Sequence, residues 1–325
     1  MMKDHTYGFR IVGPCSGVRR CVIAAAALTA YAECNERLNL GQEAYLSHFQ
    51  FDGAFREHLN RTRSVKGFTG SCWASWIWFD IDAADDLAEA LVRTRRLITT
   101  ISDAFSFVEN AMLVFFSGAK GFHVAIPTAA WNPEPSEDFN RIARRFCETV
   151  AEKAGIAIDS AIYDKVRPFR APNTRHPKTG LHKRHIGFDG CMQMSIEAIL
   201  KLAEAPESFE LPPLDTTLCD WELGAAWRQA EEEVRKAARS RVEHPGQGQE
   251  QPEGLSRWTM EFIRRGAVEG ERANRLFQAA ANLAEYGCSD RLAHAILTEP
   301  ALDSGLCPSE VRRQIECGLE RGRRG

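Results

Sequence analysis

Nothing in this chain approaches the ~20 consecutive apolar residues that a membrane-spanning helix requires. The longest apolar run is twelve residues, Cys21 to Ala32, and Thr29 interrupts it. That run follows Arg19-Arg20 and contains Ala30-Tyr31-Ala32, so it loosely mimics a signal peptide. The long segment before it argues against export. None of the ten cysteines stands three residues from another, which excludes Cys-x-x-Cys pairs. Their scatter suits neither a zinc ribbon nor a disulfide scaffold and is expected of buried thiols in a reducing cytoplasm. No structural zinc is expected, although His176, His182, His185 and Cys191 form one conceivable ligand set. There is no internal repeat and no Walker A loop, so no helicase motor is evident. Neither sign of charge dominates: 41 Lys and Arg face 44 Asp and Glu, for a net charge of −3. A wholly basic nucleic-acid coat is excluded; a local basic site is not.

What is present is an ordinary globular mixture, 44% hydrophobic and 26% charged over 325 residues. It excludes disorder, collagen and coiled coil as the main state, and the length suits two domains. The clearest break is Pro245 to Gly254, which has no apolar residue. A softer break is Pro206 to Asp215, and Thr217 to Glu243 between them reads as a helix. The expected organisation is a mixed domain over 1–215, a helix and flexible linker over 216–254, and a helical domain over 255–325. Upstream, helices are expected over Val18 to Leu38, Asp85 to Phe107 and Pro135 to Ala154. Trp76 to Asp82, Met112 to Phe116 and Phe122 to Ile126 read as strands, with Ile156 to Ile158 as another. This mixture predicts an α+β fold. Downstream, Arg272 to Tyr286 has helical spacing and Gly287 as a stop. Ser289 is placed to cap a helix limited by Pro300, and a last helix runs over Ser309 to Leu319.

Three motifs carry chemistry. The first is Phe79-Asp80-Ile81-Asp82. Alternate strand residues share a face, so the two carboxylates converge. They repel unless a cation neutralises them, and hard oxygen ligands suit Mg²⁺ or Mn²⁺. The plain alternative is a solvated strand end. The second is Ser117-Gly118-Ala119-Lys120-Gly121-Phe122-His123. Gly118 and Gly121 permit a tight turn, from which Ser117, Lys120 and His123 can meet a phosphate chain. The alternative is an exposed hairpin. The third is Lys165 to Phe188, with seven Lys and Arg and no Asp or Glu. Set against the whole-chain charge, this +7 tract leaves −10 for the rest. Such polarisation suits a polyanion, or else internal pairing with the chain's own acids. Asp159 follows the apolar run Ile156 to Ile158 and is placed to join the acid pair; Asp164 is its rival.

In this order the motifs resemble the archaeo-eukaryotic primase superfamily of primases and primase-polymerases. That family's pattern is a hydrophobic strand ending in Asp-x-Asp/Glu, then Ser-x-x-x-Gly-x-His or a shorter Ser-x-His, then a late Asp. Here Asp80 and Asp82, then Ser117, Lys120, Gly121 and His123, then Asp159 match it. Arg167 to His176 is similar to the segment that follows in plasmid, phage and other mobile-element members. The resemblance covers about residues 60–200, and the helices around Arg272 to Gly318 look like the small helical domain that often follows such primases.

The resemblance implies a palm-like, RRM-related α+β catalytic domain and a helical C-terminal domain. It implies a DNA primase or primase-polymerase that performs template-directed nucleotidyl transfer with a two-metal Mg²⁺ or Mn²⁺ site. Asp80, Asp82 and Asp159 would hold the metal, and His123 would act beside them. Ser117, Gly118, Lys120, Gly121, His123, Arg167 and Arg170 would bind the nucleotide. Arg175, His176, Lys178 and Lys183 would bind DNA. Expected partners are a single-stranded DNA template, NTPs or dNTPs, and a replicative helicase in trans; no membrane is expected. The rivals are a non-catalytic single-strand-binding replication initiator, a metal-dependent nuclease and an end-joining-type repair polymerase.

Overall fold

The computed structural model describes residues 5–83, 86–105, 111–213, 220–243, 255–268 and 270–323. The chain divides into two compact units, 1–238 and 239–325.

The first unit carries two antiparallel sheets. Its elements begin with β1 (Tyr7–Val12), β2 (Arg20–Ile23), α1 (Ala24–Ala32), β3 (Ala44–Ser47), β4 (Gln50–Phe51) and α2 (Gly53–Thr62). Then come β5 (Cys72–Trp73), β6 (Trp76–Asp82), α3 (Leu87–Ala104), β7 (Leu113–Phe116), β8 (Gly121–Pro127) and α4 (Phe139–Ala154). The rest are β9 (Pro168–Arg170), β10 (Arg184–His185), α5 (Gly187–Gln193), α6 (Ile196–Leu202) and α7 (Trp221–Glu243). One sheet runs β5-β4-β1-β3-β9, with β2 on β1; the other runs β10-β7-β8-β6. The α+β expectation holds.

The second sheet follows from its sequence. In β6, Ile77, Phe79 and Ile81 are wholly buried, while Asp80 and Asp82 alternate with them and are only half-buried. Helix α3 packs on β6 and β8. It presents Ala90, Leu91, Thr94, Leu97, Ile98 and Ile101 at helical spacing. The hairpin β7–β8 forms as expected, and β8 pairs on its other side with β6, placing His123 opposite Asp80 and Gly121 opposite Asp82.

Several expectations need correction. Val18 to Leu38 is not one helix: Cys21 and Val22 pair with Phe9 and Gly8 in a sheet, and α1 starts only at Ala24. β-branched residues beside a partner strand favour the ladder over the helix. Ile156 to Ile158 is irregular rather than a strand. The first unit also extends past the expected boundary at 215. Leu223, Trp227 and Ala230 of α7 are buried in its core, and Trp227 packs against Trp131, Phe139 and Phe146. The expected linker, Pro245 to Gly254, lies outside the described residues.

The second unit is helical: α8 (Arg257–Arg265), α9 (Arg272–Glu285), α10 (Asp290–Asp303) and α11 (Pro308–Gly322). Ser289 caps α10 through the amide of Leu292, as expected. Pro300 does not end that helix; it lies in the last turn, where it removes one i→i−4 hydrogen bond, and the helix runs on to Asp303. Among the described residues no helix is long and apolar enough to cross a membrane.

Candidate active site

Asp80 and Asp82 project from one face of β6 into a cleft that Asp159 also lines. The loop after α4 is tied to β6 by one backbone bond, in which the Asp159 amide donates to the Asp80 carbonyl at 2.9 Å. That bond sets Asp159 at the cleft without a strand. Asp164 does not line the cleft; it ends the 3-10 turn Ser160–Tyr163. Asp80 Oδ1 is buried and has no hydrogen-bond partner. His123 Nε2 stands 3.3 Å from it, at ion-pair distance but outside hydrogen-bond geometry. An orphaned carboxylate oxygen beside a second carboxylate fits a hard cation. The fit is incomplete. Asp82 Oδ2 is 2.8 Å from Lys120 Nζ, and Asp159 accepts from its own Ala161 amide at 2.8 Å. Among the described residues no three His, Cys, Asp or Glu groups stand together as a metal cluster.

The Ser117 turn is built to satisfy itself. Ser117 Oγ accepts from the amides of Ala119 and Gly121, at 3.4 and 3.3 Å. Its amide donates to the Gly121 carbonyl at 2.9 Å. Those two amides are therefore committed to the turn, and Ser117 keeps only its own O–H proton to donate. Gly118 has φ +88°, which favours glycine. At Gly121 a Cβ would lie 2.2 Å from the Ile81 carbonyl oxygen, so β8 approaches β6 as only glycine allows. Lys120 is the exposed member and reaches Asp82. His123 is buried.

The basic tract splits in two. Arg167, Arg170 and His176 line the cleft. Arg170 donates to Tyr45 Oη at 3.2 Å, and Tyr45 in turn donates to Glu43 at 2.6 Å. His176 Nδ1 accepts from the amides of Lys178 and Thr179, which leaves the ring proton on Nε2. Thr179 Oγ1 donates to the Gly118 carbonyl, so this loop buttresses the Ser117 turn. The other members serve the fold. Arg175 donates to the Gly180 carbonyl and Lys165 to the carbonyls of Thr69 and Gly70. Arg184 is buried and pairs with Glu207. Lys178 is exposed and away from the cleft.

Lys183, expected on DNA, is wholly buried. Its Nζ donates to the Arg170 carbonyl at 2.9 Å and lies 4.3–5.0 Å from the ring centres of Phe169, Trp78 and Phe115. An ammonium so enclosed cannot meet a phosphate backbone.

Charge follows this packing. Burial pulls the Lys183 pKa well below the usual lysine value. Burial also lowers His123, with Lys183 adding to the effect, so the imidazole is favoured neutral. For Asp80, burial raises the pKa but His123, Lys183 and Lys120 outweigh it, and the net shift is downward. The hydrogen bond to Asp82 raises Lys120. His176 is lowered by burial and then by Arg170.

The cleft thus gathers Asp80, Asp82, Asp159, Ser117, Lys120, His123, Arg167, Arg170 and His176. Sequence reasoning missed Tyr45, which gave no local signal; His176, expected to bind DNA, lines this cleft.

No family model matches the chain, and no curated protein sequence matches it. It is similar to a solved crystal structure of primase RepB′, at 14% identity over 97% of this chain and 89% of that one, with a TM-score of 0.39.

Proposed function

We propose that this chain is a nucleotidyltransferase that starts and extends strands on single-stranded DNA, a primase-polymerase. The observation that carries this reading is the juxtaposition, in one cleft, of three carboxylates with a glycine-framed Ser/Lys/His turn and two arginines. Carboxylates next to cations suit a reaction in which a metal-bound triphosphate is attacked. A 3′-hydroxyl gives up its proton to solvent as its oxygen bonds to the α-phosphorus, the bond from that phosphorus to the bridging oxygen of the β-phosphate breaks, and pyrophosphate leaves with the negative charge.

Asp80, Asp82 and Asp159 would hold Mg²⁺ or Mn²⁺, which would lower the pKa of the attacking hydroxyl and offset charge at the α-phosphate. The rest falls to the chain's own groups. Lys120, more than half exposed on a pliant side chain, leaves Asp82 for the β- and γ-phosphates. Arg167 and Arg170 neutralise the leaving pyrophosphate. His176 Nε2–H donates to a phosphate oxygen, and Ser117 adds its hydroxyl proton. His123, buried and neutral beside Asp80, adds no net charge to the acid group. Catalysis is then positioning plus electrostatics. Unwinding would come from a helicase in trans.

The test is incubation with single-stranded template, mixed NTPs and dNTPs, and Mg²⁺ or Mn²⁺, with no primer. Sized products that need metal and template support the reading. Extension of a supplied primer alone indicates a repair polymerase. DNA binding without incorporation indicates an initiator. Loss of a labelled DNA end without nucleotide indicates a nuclease.

A further inference from the structure

Lys183 has no exposed surface, and the proposed reaction makes no direct use of it. Taking an ammonium out of water is costly, and a hydrophobic side chain in its place is often neutral or stabilising. The pull of Asp80 does not offset that burial, since the net effect on the ammonium is a lowered pKa. The rings of Trp78, Phe115 and Phe169 that enclose it would also accept a methionine, whose sulfur packs well against aromatic groups. Filling the core therefore does not explain the amine.

The amine holds the end of β9. That strand is three residues long, closes its sheet and pairs there with β3. Together with Arg167 just before it, β9 forms one wall of the acid cleft through Pro168, Phe169 and Arg170. Three bonds to Lys183 secure the chain where β9 stops. Its Nζ donates to the Arg170 carbonyl at 2.9 Å. Its own carbonyl accepts from the Asn173 amide at 2.8 Å, and its amide donates to the Thr174 carbonyl at 3.0 Å. The last two belong to the main chain and survive any substitution at 183. The first is the side chain's own, and it acts on the residue that carries the cleft's half-buried guanidinium.

We infer that Lys183 is a positioning residue for Arg170 in the binding of a polyphosphate. Arg170 is held at both ends. Its guanidinium donates to Tyr45 Oη at 3.2 Å and lies 5.1 Å from the centre of that ring, while its carbonyl is held from inside the core by Lys183. A strand this short has little else to fix its height over the cleft, and a displacement of about 1 Å is enough to spoil a charged contact. Lys183 thus serves the phosphates without touching them. The assignment rests on the reading that this cleft takes a triphosphate.

The test uses inorganic tripolyphosphate, which binds without catalysis. Calorimetric titrations would compare the full chain with Lys183→Met, Arg170→Met and the double variant, each checked by a thermal melt. Arg170→Met should weaken binding. Lys183→Met should weaken it about fivefold or more while the Tm stays at or above the wild-type value, a pairing that a purely structural lysine would not give. In the Arg170→Met background the same change should cost less than about twofold, because its effect passes through the missing side chain. The proposal is overturned by unchanged affinity in Lys183→Met, by a loss in the double variant as large as in the wild-type background, or by a Tm lowered by more than about 5 °C, which would make the lysine a core residue. If the wild-type chain does not bind tripolyphosphate, the phosphate seat and this proposal fall together. If the binding results are as expected but no nucleotide is incorporated, the role of Lys183 stands and the transferase reading fails.

Discussion

Lys120 Nζ stands 2.8 Å from Asp82 Oδ2, so a cation of the protein itself occupies a carboxylate that the proposed chemistry assigns to metal. The lysine side chain is 59% exposed, and exposed pairs contribute at most about 1 kcal/mol. The pair is therefore a weak competitor for metal. Lys120→Met should tighten Mn²⁺ binding without nucleotide by up to about fivefold, read by electron paramagnetic resonance. The same variant should raise the nucleotide KM, because the ammonium that would meet the phosphates is gone. A weaker Mn²⁺ affinity, or an unchanged KM, would remove Lys120 from the triphosphate site.

Asp159 and Asp164 are separated by a cleaner substitution than alanine. Asp159 accepts from the Ala161 amide, and its loss to alanine would cost a cap of about 1 kcal/mol in addition to any lost metal ligand. Asparagine caps as well as aspartate but carries no charge. Asp159→Asn should therefore abolish nucleotide incorporation with little change in Tm, and Asp164→Asn should retain it. Incorporation assays beside thermal melts check both. Asp80→Asn and Asp82→Asn should behave like Asp159→Asn.

Acid stability has a readable sign. His48 is lowered to about 3 and His185 to about 4, both chiefly by burial, from an unfolded value of 6.5. The unfolded chain binds these protons first as pH falls, so their contribution to stability is full above 6.5 and is lost progressively below it. Each group costs about 1.4 kcal/mol per pH unit within its window. Urea unfolding between pH 6 and 4 should show this slope, and His48→Phe should remove roughly one proton's share of it. An unchanged slope would mean that His48 is protonated in the folded state.

Much of the cleft was legible because its parts are local. The alternation in Trp76 to Asp82 gives both the strand and the carboxylate face, and the glycines around Lys120 give the hairpin. The first sheet was not legible. Its strands are two to six residues long and owe their existence to partners far along the chain, as Tyr45 of β3 does to Arg170 of β9. Charge counting pointed to Arg167 and Arg170, which line the cleft, and also to Lys183, which is wholly buried. An ammonium held by one carbonyl and three aromatic rings leaves no mark in its neighbours' sequence. Asp159 was found from its position after an apolar run, yet the reason it reaches the cleft is a single backbone bond, not the strand that the run suggested.

Gly121 is the position where the least added volume should do the most harm. A Cβ there meets the Ile81 carbonyl oxygen at 2.2 Å and Asp82 Oδ1 at 2.3 Å. The Asp82 carboxylate can turn aside, but the Ile81 carbonyl is backbone of β6, which is held by its ladder to β8 and cannot yield. Gly121→Ala should destabilise the chain by about 3 kcal/mol and displace the acid face. A wild-type Tm for this variant would show that the two strands separate there.

The final prediction concerns the helices of the second unit. Residues 1–243 keep all of α7, whose Leu223, Trp227 and Ala230 complete the core of the first unit. A cut near 215 would remove those side chains and expose the aromatic cluster around Trp131, Phe139 and Phe146. The chain ending at Glu243 should therefore melt as a folded protein, and one ending at Asp215 should not. The longer of the two retains every cleft residue, so it should extend a supplied primer. Starting a strand asks for more, because two nucleotides must be held on the template with no duplex to place the first. The second unit has a core of its own, built on Leu276, Leu297 and Ile315, and a surface arginine, Arg275, stacked over exposed Trp258. Arginine and tryptophan together suit a stacked base and its phosphate. Unprimed synthesis should fall at least tenfold in residues 1–243 while primer extension changes less than twofold, measured on one gel. Equal loss of both activities would make the second unit part of the catalytic fold, and loss of neither would assign it to a partner.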